Sequence, residues 1–379
     1  MPYTGTASAP SNTVAAVPGS NLGTSSTDVL LGGGGAKEVI CTDTTNSQSL
    51  KLSLKEGSAD VPVTGMRITS VHGKNSVTIT GVDLRISSVH VSGTTASSAL
   101  TLVGTLPVSG VVVDGSINSI TAKSSFVGDV NVSGTIAKVA VQGLGSLTIG
   151  GAGRATSILT RDGGSNVSTP GVLAVIKGSG WDGSINAAAV GQIKLTSSGE
   201  FDVTAGRLGT LSAYELFDST ITLTQGGVSL SKLSAFNLTL TTINTAGSIG
   251  TVHVGQMWSC QIFAGVKSLA PSQRLPDTAS DFEALAFIGT FKLFHTNFPS
   301  FVDSLVAASL IRSINLADVT TLSTRVLGVS AERISSLRLL DDASNKELNL
   351  RNVDNPATLA VQLAKFGTPL QEFVVQIVS

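Results

Sequence analysis

Aromatic and charged residues are both scarce in this chain. Aromatic residues make up 4% of its 379 residues, and Asp, Glu, Lys and Arg together make up 13%, about half the share of an average globular domain. Hydrophobic residues nevertheless make up 41%, so the core must consist of Val, Ile, Leu and Ala. These side chains pack well in flat, repeated layers. The composition therefore favours stacked strands over a globule organised around aromatic rings.

Other shortages exclude whole classes of protein. The net charge is −1, so no basic field attracts nucleic acid or anionic lipid, and we expect neither as a partner. No apolar run reaches the roughly 18 residues of a membrane-spanning helix, so we expect no direct membrane insertion. Cys41 and Cys260 are too few for a disulfide scaffold, and we expect both to be buried thiols without a bridge.

The N-terminus lacks the basic start and apolar run of a secretory signal. It reads Met1-Pro-Tyr-Thr-Gly-Thr6. Three explanations stay open: the chain is a mature fragment, its export follows another route, or it is assembled inside the cell as virion proteins are.

A six-residue pattern recurs along the chain. An apolar residue is followed by two small or polar residues, then by an apolar residue, any residue and a third apolar residue. We call each copy a hexad. From residue 117 onward the hexads start 17 to 23 residues apart, which suits one coil of a β-helix. The hexads start at Ile68, Ile86, Ile117, Ile136, Ala155, Leu173, Val190, Leu208, Leu230, Ile249, Val266, Ile288, Ile311 and Ile334.

The hexad also predicts local geometry. Its first, fourth and sixth residues cannot all face one side of a straight strand, because strand side chains alternate. They can do so if the two small residues between the first and fourth positions form a corner. The third position is usually Ser or Thr, so stacked coils would align these hydroxyls in a ladder that bonds neighbouring backbone. The predicted ladder comprises Ser70, Ser88, Ser119, Ser157, Thr210, Thr251, Ser268, Thr290, Ser313 and Ser336.

Most hexads are followed by a second alternating segment, such as Val130-Asn-Val132, with glycines between the segments. Two or three short strands per coil predict an all-β fold, a right-handed parallel β-helix with coils of about 19 residues. An irregular β-sandwich is the alternative. The parallel β-helix would cover residues 65–340.

The two ends of the chain differ from the middle. Residues 1–36, rich in Ser, Thr, Gly and Pro, predict an N-terminal arm that is flexible or becomes ordered in an assembly. Residues 37–64 predict an N-terminal cap or first coil. Near the C-terminus we expect a helical turn within 277–285 and a helix from Ser300 to about Ala308.

The segment 341–379 predicts a small α/β C-terminal cap. Asn355 can cap a helix at about 356–366 that starts with Pro356, and Phe373 begins a terminal strand. A cap is needed because an uncovered terminal strand edge can pair with another chain.

Few residues suggest chemistry. Asp341 and Asp342 could perform acid/base work on a glycosidic bond, as paired carboxylates do in glycosidases. A solvated turn is the simpler interpretation of this pair, so we predict no enzymatic activity and no catalytic residue.

Metal binding and cofactor binding are also not expected. Asp114, Asp129, Asp162 and Asp182 recur in turns or beside Gly and could collect Ca²⁺ along one edge, but they lack the Gly-Gly-x-Gly-x-Asp repeat of calcium β-rolls.

The histidines are a second metal candidate. His72 and His90 occupy the same hexad offset, so they should stack about 5 Å apart, and His253 repeats this offset in a remote coil. A stacked pair could bind a metal, yet no Cys or carboxylate shares the offset, which favours solvated imidazoles.

The unit Gly-Ser/Thr-Ile-x-x-Val/Ile-x-Val/Ala, seen at Gly115, Gly134 and Gly247, resembles the repeats of bacterial surface proteins. These include adhesins and surface-layer-like β-helix proteins. The resemblance covers roughly residues 65–340, defines a fold and carries over no functional residue. It implies a non-catalytic structural protein of a cell surface or extracellular assembly.

Such a protein would self-associate into an oligomer or polymer through its faces, its ends and its N-terminal arm, with surface glycans as candidate partners. The alternatives are a virion component, such as a tail spike or fibre, and a β-helix polysaccharide lyase or hydrolase.

Overall fold

The computed structural model divides into two compact units, Met1–Ser179 and Gly180–Ser379. In total their parallel β-solenoid makes about 12 turns. The structure describes residues 3–6, 13–16, 19–21, 24–31, 37–43, 49–56, 63–70, 76–80, 86–104, 108–153, 155–267, 269, 273–283, 285–294, 300–320, 327–341, 346–366 and 373–378.

The strands of the first unit are β1 Tyr3–Thr6, β2 Thr13–Ala16, β3 Gly19–Asn21, β4 Thr24–Leu31, β5 Lys37–Asp43, β6 Ser49–Glu56, β7 Val63–Ser70, β8 Ser76–Thr80, β9 Val89–Thr94, β10 Ala99–Val103, β11 Val108–Gly115, β12 Ile117–Val132, β13 Ile136–Ile149, β14 Thr156–Thr160 and β15 Gly164–Gly178.

The strands of the second unit are β16 Trp181–Leu195, β17 Ser198–Ala205, β18 Leu208–Phe217, β19 Thr220–Leu223, β20 Val228–Thr239, β21 Thr242–Thr245, β22 Ser248–Trp258, β23 Gln261–Ala264, β24 Phe287–Leu293, β25 Phe301–Val302, β26 Leu305–Ala308, β27 Leu310–Thr320, β28 Leu327–Ala331, β29 Arg333–Asp341, β30 Lys346–Val353 and β31 Phe373–Ile377. A 3-10 turn at Ala279–Asp281 and helix α1, Pro356–Phe366, complete the described elements.

Each coil of the first unit contributes strands to two parallel sheets. The first sheet runs through β4, β6, β8, β10, the start of β12, the start of β13, β14 and the end of β15. The second sheet runs through β2, β5, β7, β9, β11, the end of β12, the end of β13 and the start of β15. The predicted parallel β-solenoid is thereby confirmed, and its right-handedness stays a prediction.

In the second unit the hexads form the first sheet, from the end of β16 through β18, β20, β22, β24 and β27 to β29. The strands that do not belong to the first sheet begin as one pair, the start of β16 with β17. They then divide into a second sheet, through the ends of β18, β20 and β22, and a third sheet, β19–β21–β23–β26–β28–β31. Coils here have three strands.

The predicted inward pattern of the hexad is confirmed in the copies that start at 117, 136, 173, 190, 208, 230, 249, 288, 311 and 334. The copy at 155 departs from it, because Ala155 is exposed and Leu173 pairs with Thr156 instead. In the hexad that starts at Ile249, the first, fourth and sixth residues, Ile249, Val252 and Val254, are all fully buried. Val252 lies between Leu233 and Phe291 of the adjacent coils. Aliphatic side chains thus stack on their equivalents, which buries apolar surface without large rings.

The second hexad position is glycine at 209, 250 and 289 for a steric reason. A Cβ atom placed on Gly250 would lie 2.5 Å from the carbonyl oxygen of Ser231 in the preceding coil. Gly209 and Gly289 are crowded in the same way by the backbone of Gly191 and Gly250. The backbones of successive coils approach closely at this position, so a larger residue would push them apart.

Three predicted hexads are out of register. Ile68 lies opposite Val91 rather than Ile86, and Val89 lies opposite Val111, so the copies at 68 and 86 belong to the second sheet. Both sheets have buried apolar alternation, so the motif alone does not distinguish them. The copy at Val266 forms no coil, because Ile249 pairs directly with Ile288; the chain between makes an excursion that contains the 3-10 turn.

The predicted helix from Ser300 is wrong. This segment contains strands β25 and β26, whose residues are all buried. An apolar run with β-branched and small residues satisfies either pattern, and pairing with β22 and β23 decides for the strand. The 3-10 turn matches the predicted helical turn, with Thr278 and Asp281 in a capping box.

The predicted C-terminal helix and strand are confirmed. The Thr358 amide donates to Asn355 Oδ1 (2.8 Å), and β31 extends the third sheet beside β28. Strand β30, by contrast, turns back to pair antiparallel with β29. The domain boundaries at 36, 64 and 340 stay predictions.

A column of buried side chains lies at one corner of the second unit. Residues in the left-handed region turn the chain there, at Asp218, Leu240, Ser259 and Asp303. Each is followed by a buried residue that donates to the carbonyl oxygen two residues earlier. The donors are Ser219, Thr241, Cys260 and Ser304, at 2.9, 3.0, 3.2 and 2.7 Å. We call this the corner column.

Candidate functional site

Three exposed or half-exposed aromatic rings and one imidazole line up across successive coils of the second unit. Tyr214 stacks on Phe236, with ring centroids 5.3 Å apart and planes 5° apart. Phe236 meets Phe294 edge-on at 6.3 Å, and the imidazole of His253 lies 4.7 Å from the Phe294 ring. We call Tyr214, Phe236, His253 and Phe294 the aromatic strip.

The hexad explains why these rings face outward. Tyr214 and Phe236 each follow the sixth, buried hexad residue, so the alternation of the strand turns them to the outside. The next coil has Gly255 at this position. A Cβ atom on Gly255 would lie 3.3 Å from the ring of Phe294, so the glycine makes room for Phe294 to approach Phe236.

The strip leaves much apolar surface uncovered. Tyr214 is 54% exposed and Phe294 is 37% exposed. On the adjacent second sheet, Phe217 and Trp258 (44% exposed) also face outward. Thr239 lies between them, because it pairs with Phe217 on one side and with Trp258 on the other. In a chain with 4% aromatic residues, this concentration of exposed rings is characteristic of an interaction site.

A column of polar and basic residues runs beside the strip on the first sheet. It occupies the fifth hexad position. The rings follow two residues later, at the next outward-facing position, so column and rings are about 7 Å apart along the strand. The column is continuous in register and consists of Lys194, Ser212, Ser234, His253, Lys292, Asn315 and Arg338. We call it the basic column.

The hexads that contribute the basic column contain cations and no acidic residue. The seven hexads of the second unit that start at 190, 208, 230, 249, 288, 311 and 334 contain no Asp or Glu, and Lys232 and Arg312 add two cations. Arg312 lies over the Phe287 ring, 4.1 Å from its centroid. Arg338 is paired with Glu347, which neutralises that end of the column and raises the pKa of the guanidinium. Lys194 and Lys292 are exposed.

A column of amide and carboxylate side chains borders the strip on its other side. Glu215 lies opposite Asn237, and Asn237 lies opposite Gln256. The Glu215 carboxylate accepts a hydrogen bond from Ser198 Oγ (3.4 Å). The rings are therefore flanked by hydrogen-bonding groups on one side and by cations on the other.

The predicted Ser/Thr ladder is only partly continuous. Thr251, Thr290 and Ser313 follow one another in register. Elsewhere the column is interrupted: Lys138 lies between Ser119 and Ser157, and Lys232 lies between Thr210 and Thr251.

Ser336 continues the run from Thr251 to Ser313, because Ile334 pairs with Ile311 and Leu337 pairs with Ile314, which aligns Ser336 with Ser313. Its neighbour on the other side is Arg351. Ser70 and Ser88 lie elsewhere, on the second-sheet side. Ser268 lies outside the described residues. The continuous hydroxyl and thiol ladder is instead the buried corner column, which the hexad pattern did not indicate.

The predicted stacking of the histidines is wrong. His90 lies opposite Arg67 and Val112, because the first two hexads are out of register, and its Nε2 contacts Asp114 Oδ2 at 2.6 Å. His72 lies outside the described residues. His253 belongs to the aromatic strip.

The four spaced aspartates do not share a column. Asp129 lies opposite Ser146, whose hydroxyl donates to it (2.7 Å). The Gln142 amide donates to Asp162 (2.8 Å), and Asp182 lies opposite Glu200. Among the residues that the structure describes, no three His, Cys, Asp or Glu side chains converge as a metal site would require.

Asp341 ends strand β29, opposite Lys346. Asp342 lies outside the described residues, so the predicted pairing of the Asp341 and Asp342 carboxylates stays a prediction.

No family model, curated protein or solved structure matches this chain. Within the described part of the chain, no helix is both long and apolar enough to span a membrane.

The aromatic strip was missed by reasoning from sequence. A signal was present, because Tyr214 and Phe236 occupy the same offset from hexads in consecutive coils. Phe294 has the same offset from the hexad at Ile288, but it follows an excursion of the chain, and only the register of β24 on β22 brings it to the strip.

Proposed function

We propose that this chain is a non-catalytic structural protein of a cell-surface or extracellular assembly, which contacts its partners through the lateral faces of its β-solenoid. The observation that supports this function is the aromatic strip. Exposed rings cost solvation free energy in an isolated chain, and a row of them across successive coils suits an extended partner.

The C-terminal end of the solenoid is less suited to self-association. Strand β30 covers the edge of β29, and the side chain of Gln362 bonds the backbone of Arg351 on the opposite edge of β30. This supports self-association through the lateral faces rather than through this end. The faces, the ends and the N-terminal arm are the three regions of contact that the sequence suggested.

The proposal is tested on the full purified chain by negative-stain electron microscopy and by light scattering coupled to size-exclusion chromatography. Sheets, tubes or filaments are the expected result. A discrete trimer would instead favour a virion spike or fibre. A chain that stays monomeric at high concentration would contradict the self-associating role.

Catalysis is tested separately. The chain is incubated with acidic and neutral polysaccharides, and their size distribution and reducing ends are measured over time. We expect no change. Depolymerisation that is lost in the Asp341→Asn/Asp342→Asn double variant would overturn the non-catalytic assignment and favour the lyase or hydrolase alternative.

A further inference from the structure

We propose that the aromatic strip and the adjacent basic column form a binding site for an acidic polysaccharide. The inference rests on the proposed surface function and names the partner of one lateral face. Its observations are the ring geometry, the spacing of the coils and the sign of the charge.

The rings suit sugars. Tyr214 and Phe236 lie on adjacent rungs of the first sheet, about 4.8 Å apart, and their rings stack face to face. Phe294 lies two rungs from Phe236, because Gly255 occupies the rung between them. The rings therefore form one row across the coils, and one rung is comparable in length to one pyranose unit of an extended polysaccharide. The apolar faces of pyranose rings pack on aromatic surface, so a polysaccharide that runs across the coils can lie along this row.

The lysines select for negative charge. Lys194 and Lys292 share one register column with the imidazole of His253, one outward position from the rings, and no Asp or Glu lies in the seven hexads of this face. Carboxylate or sulfate groups that project from a sugar on the strip would face these side chains. Ser212 and Ser234, between Lys194 and His253, add hydroxyl donors.

The same pairing of rings and cations could also bind single-stranded nucleic acid. The charge argues against this partner, because the chain carries a net charge of −1 and only two exposed lysines lie in the column. Phosphate-dominated binding needs many more cations. A polysaccharide, which gains affinity mainly from ring stacking, fits the site better.

The test measures binding of the full chain to two acidic polysaccharides and their neutral counterparts by biolayer interferometry. Polygalacturonate is compared with its methyl ester, and dextran sulfate is compared with dextran. We expect binding to at least one acidic polymer that weakens as salt increases. The polygalacturonate and dextran sulfate arms distinguish a carboxylate ligand from a sulfate ligand.

Two double variants test the site itself. Tyr214→Ser/Phe294→Ser removes two rings, and Lys194→Gln/Lys292→Gln removes two charges. Each should weaken binding by about tenfold or more. Matched controls are Lys177→Gln, an exposed lysine of the first unit, and Val361→Ser, an exposed apolar residue of α1; both should stay within about twofold of the unmodified chain.

Several outcomes would overturn the proposal. These are no binding to either acidic polymer, equal binding to the neutral polymers, tighter binding to oligo-dT, or unchanged binding in the lysine double variant. Because Lys194 and Lys292 are exposed, that variant keeps the test valid if the ring variant unfolds. Ordered assemblies without polysaccharide binding would overturn this inference alone, whereas depolymerisation of a bound polymer would overturn the proposed function.

Discussion

The side-chain amide of Gln362 bonds both backbone groups of Arg351. Its Nε2 donates to the Arg351 carbonyl oxygen (2.8 Å), and its Oε1 accepts from the Arg351 N–H (2.9 Å). Strand β30 pairs with β29 on its other side. One helix side chain therefore occupies the backbone groups with which another strand would pair.

Replacing Gln362 should open this edge. We expect Gln362→Leu to cost about 1 kcal/mol of stability, because two backbone groups lose their partner. It should also produce concentration-dependent oligomers, detected by light scattering. Ala360→Leu, on an exposed position of α1, is the control for added apolar surface and should stay unchanged. Equal behaviour of the two variants would show that Gln362 does not protect the edge.

Cys260 should tolerate serine and not alanine. It occupies the corner column between Thr241 and Ser304, where its Sγ donates to the Trp258 carbonyl oxygen (3.2 Å). Cys260→Ser keeps a donor of the type used by the other column members. Cys260→Ala leaves the Trp258 carbonyl oxygen without this donor. Its free energy of unfolding, measured by urea denaturation, should fall by about 1 kcal/mol or more. Equal loss in both variants would argue that volume, not hydrogen bonding, decides this position.

The same thiol should make stability fall at alkaline pH. Burial raises the pKa of Cys260 from its ordinary value of 9.0 to about 12. Between these values the unfolded chain releases this proton and the folded chain retains it, so stability falls as pH rises from about 9 towards 12. Cys260→Ser should remove this part of the pH dependence. Identical slopes for the two chains between pH 9 and 11 would contradict the assignment.

Gly250 should not accept a side chain. Its added Cβ would lie 2.5 Å from the Ser231 carbonyl oxygen, so Gly250→Ala must separate two coils and should cost about 1–3 kcal/mol. Gly226→Ala is the matched control, because nothing lies within 4 Å of its Cβ position. Thermal unfolding of both variants checks the difference, and a loss of equal size in both would refute the steric explanation.

Val252 and Thr251 test the register directly. Val252 is fully buried between Leu233 and Phe291, so Val252→Asp buries a carboxyl group without a partner and should cost at least about 2 kcal/mol. Thr251 lies opposite Lys232 on the outside, and Thr251→Asp should stay within about 0.5 kcal/mol of the unmodified chain. Unchanged thermal stability in Val252→Asp would show that the register is wrong.

The hexads in the second half of the chain were predictable because their steric demands are local. A buried residue at positions one, four and six follows from one coil packing on the next, as at Ile249 and Val252, and so does the glycine at position two in the coil of Gly250. The copies at 68 and 86 were misassigned since the same alternation satisfies either sheet. The excursion after Gly265 was missed because Val266-Lys-Ser-Leu269 imitates a hexad.

The candidate site was predicted poorly for a different reason. His253 was singled out through its hexad offset, yet its ring neighbour Phe294 is 41 residues away in sequence, which the alternation of one strand cannot indicate. Gln362 and Arg351 likewise meet only because α1 folds back on β30.

By itself, the sequence determined that aliphatic side chains stack in parallel coils, because the repeat spacing and the shortage of rings and charges permit little else. It also determined the C-terminal helix through Asn355 and Pro356. Only the tertiary structure decided which coil lies on which. That register places Tyr214, Phe236 and Phe294 in one strip and Ser219, Thr241, Cys260 and Ser304 in one column. Contacts between coils depend on turn lengths and excursions summed over the chain, and no local pattern of residues encodes that sum.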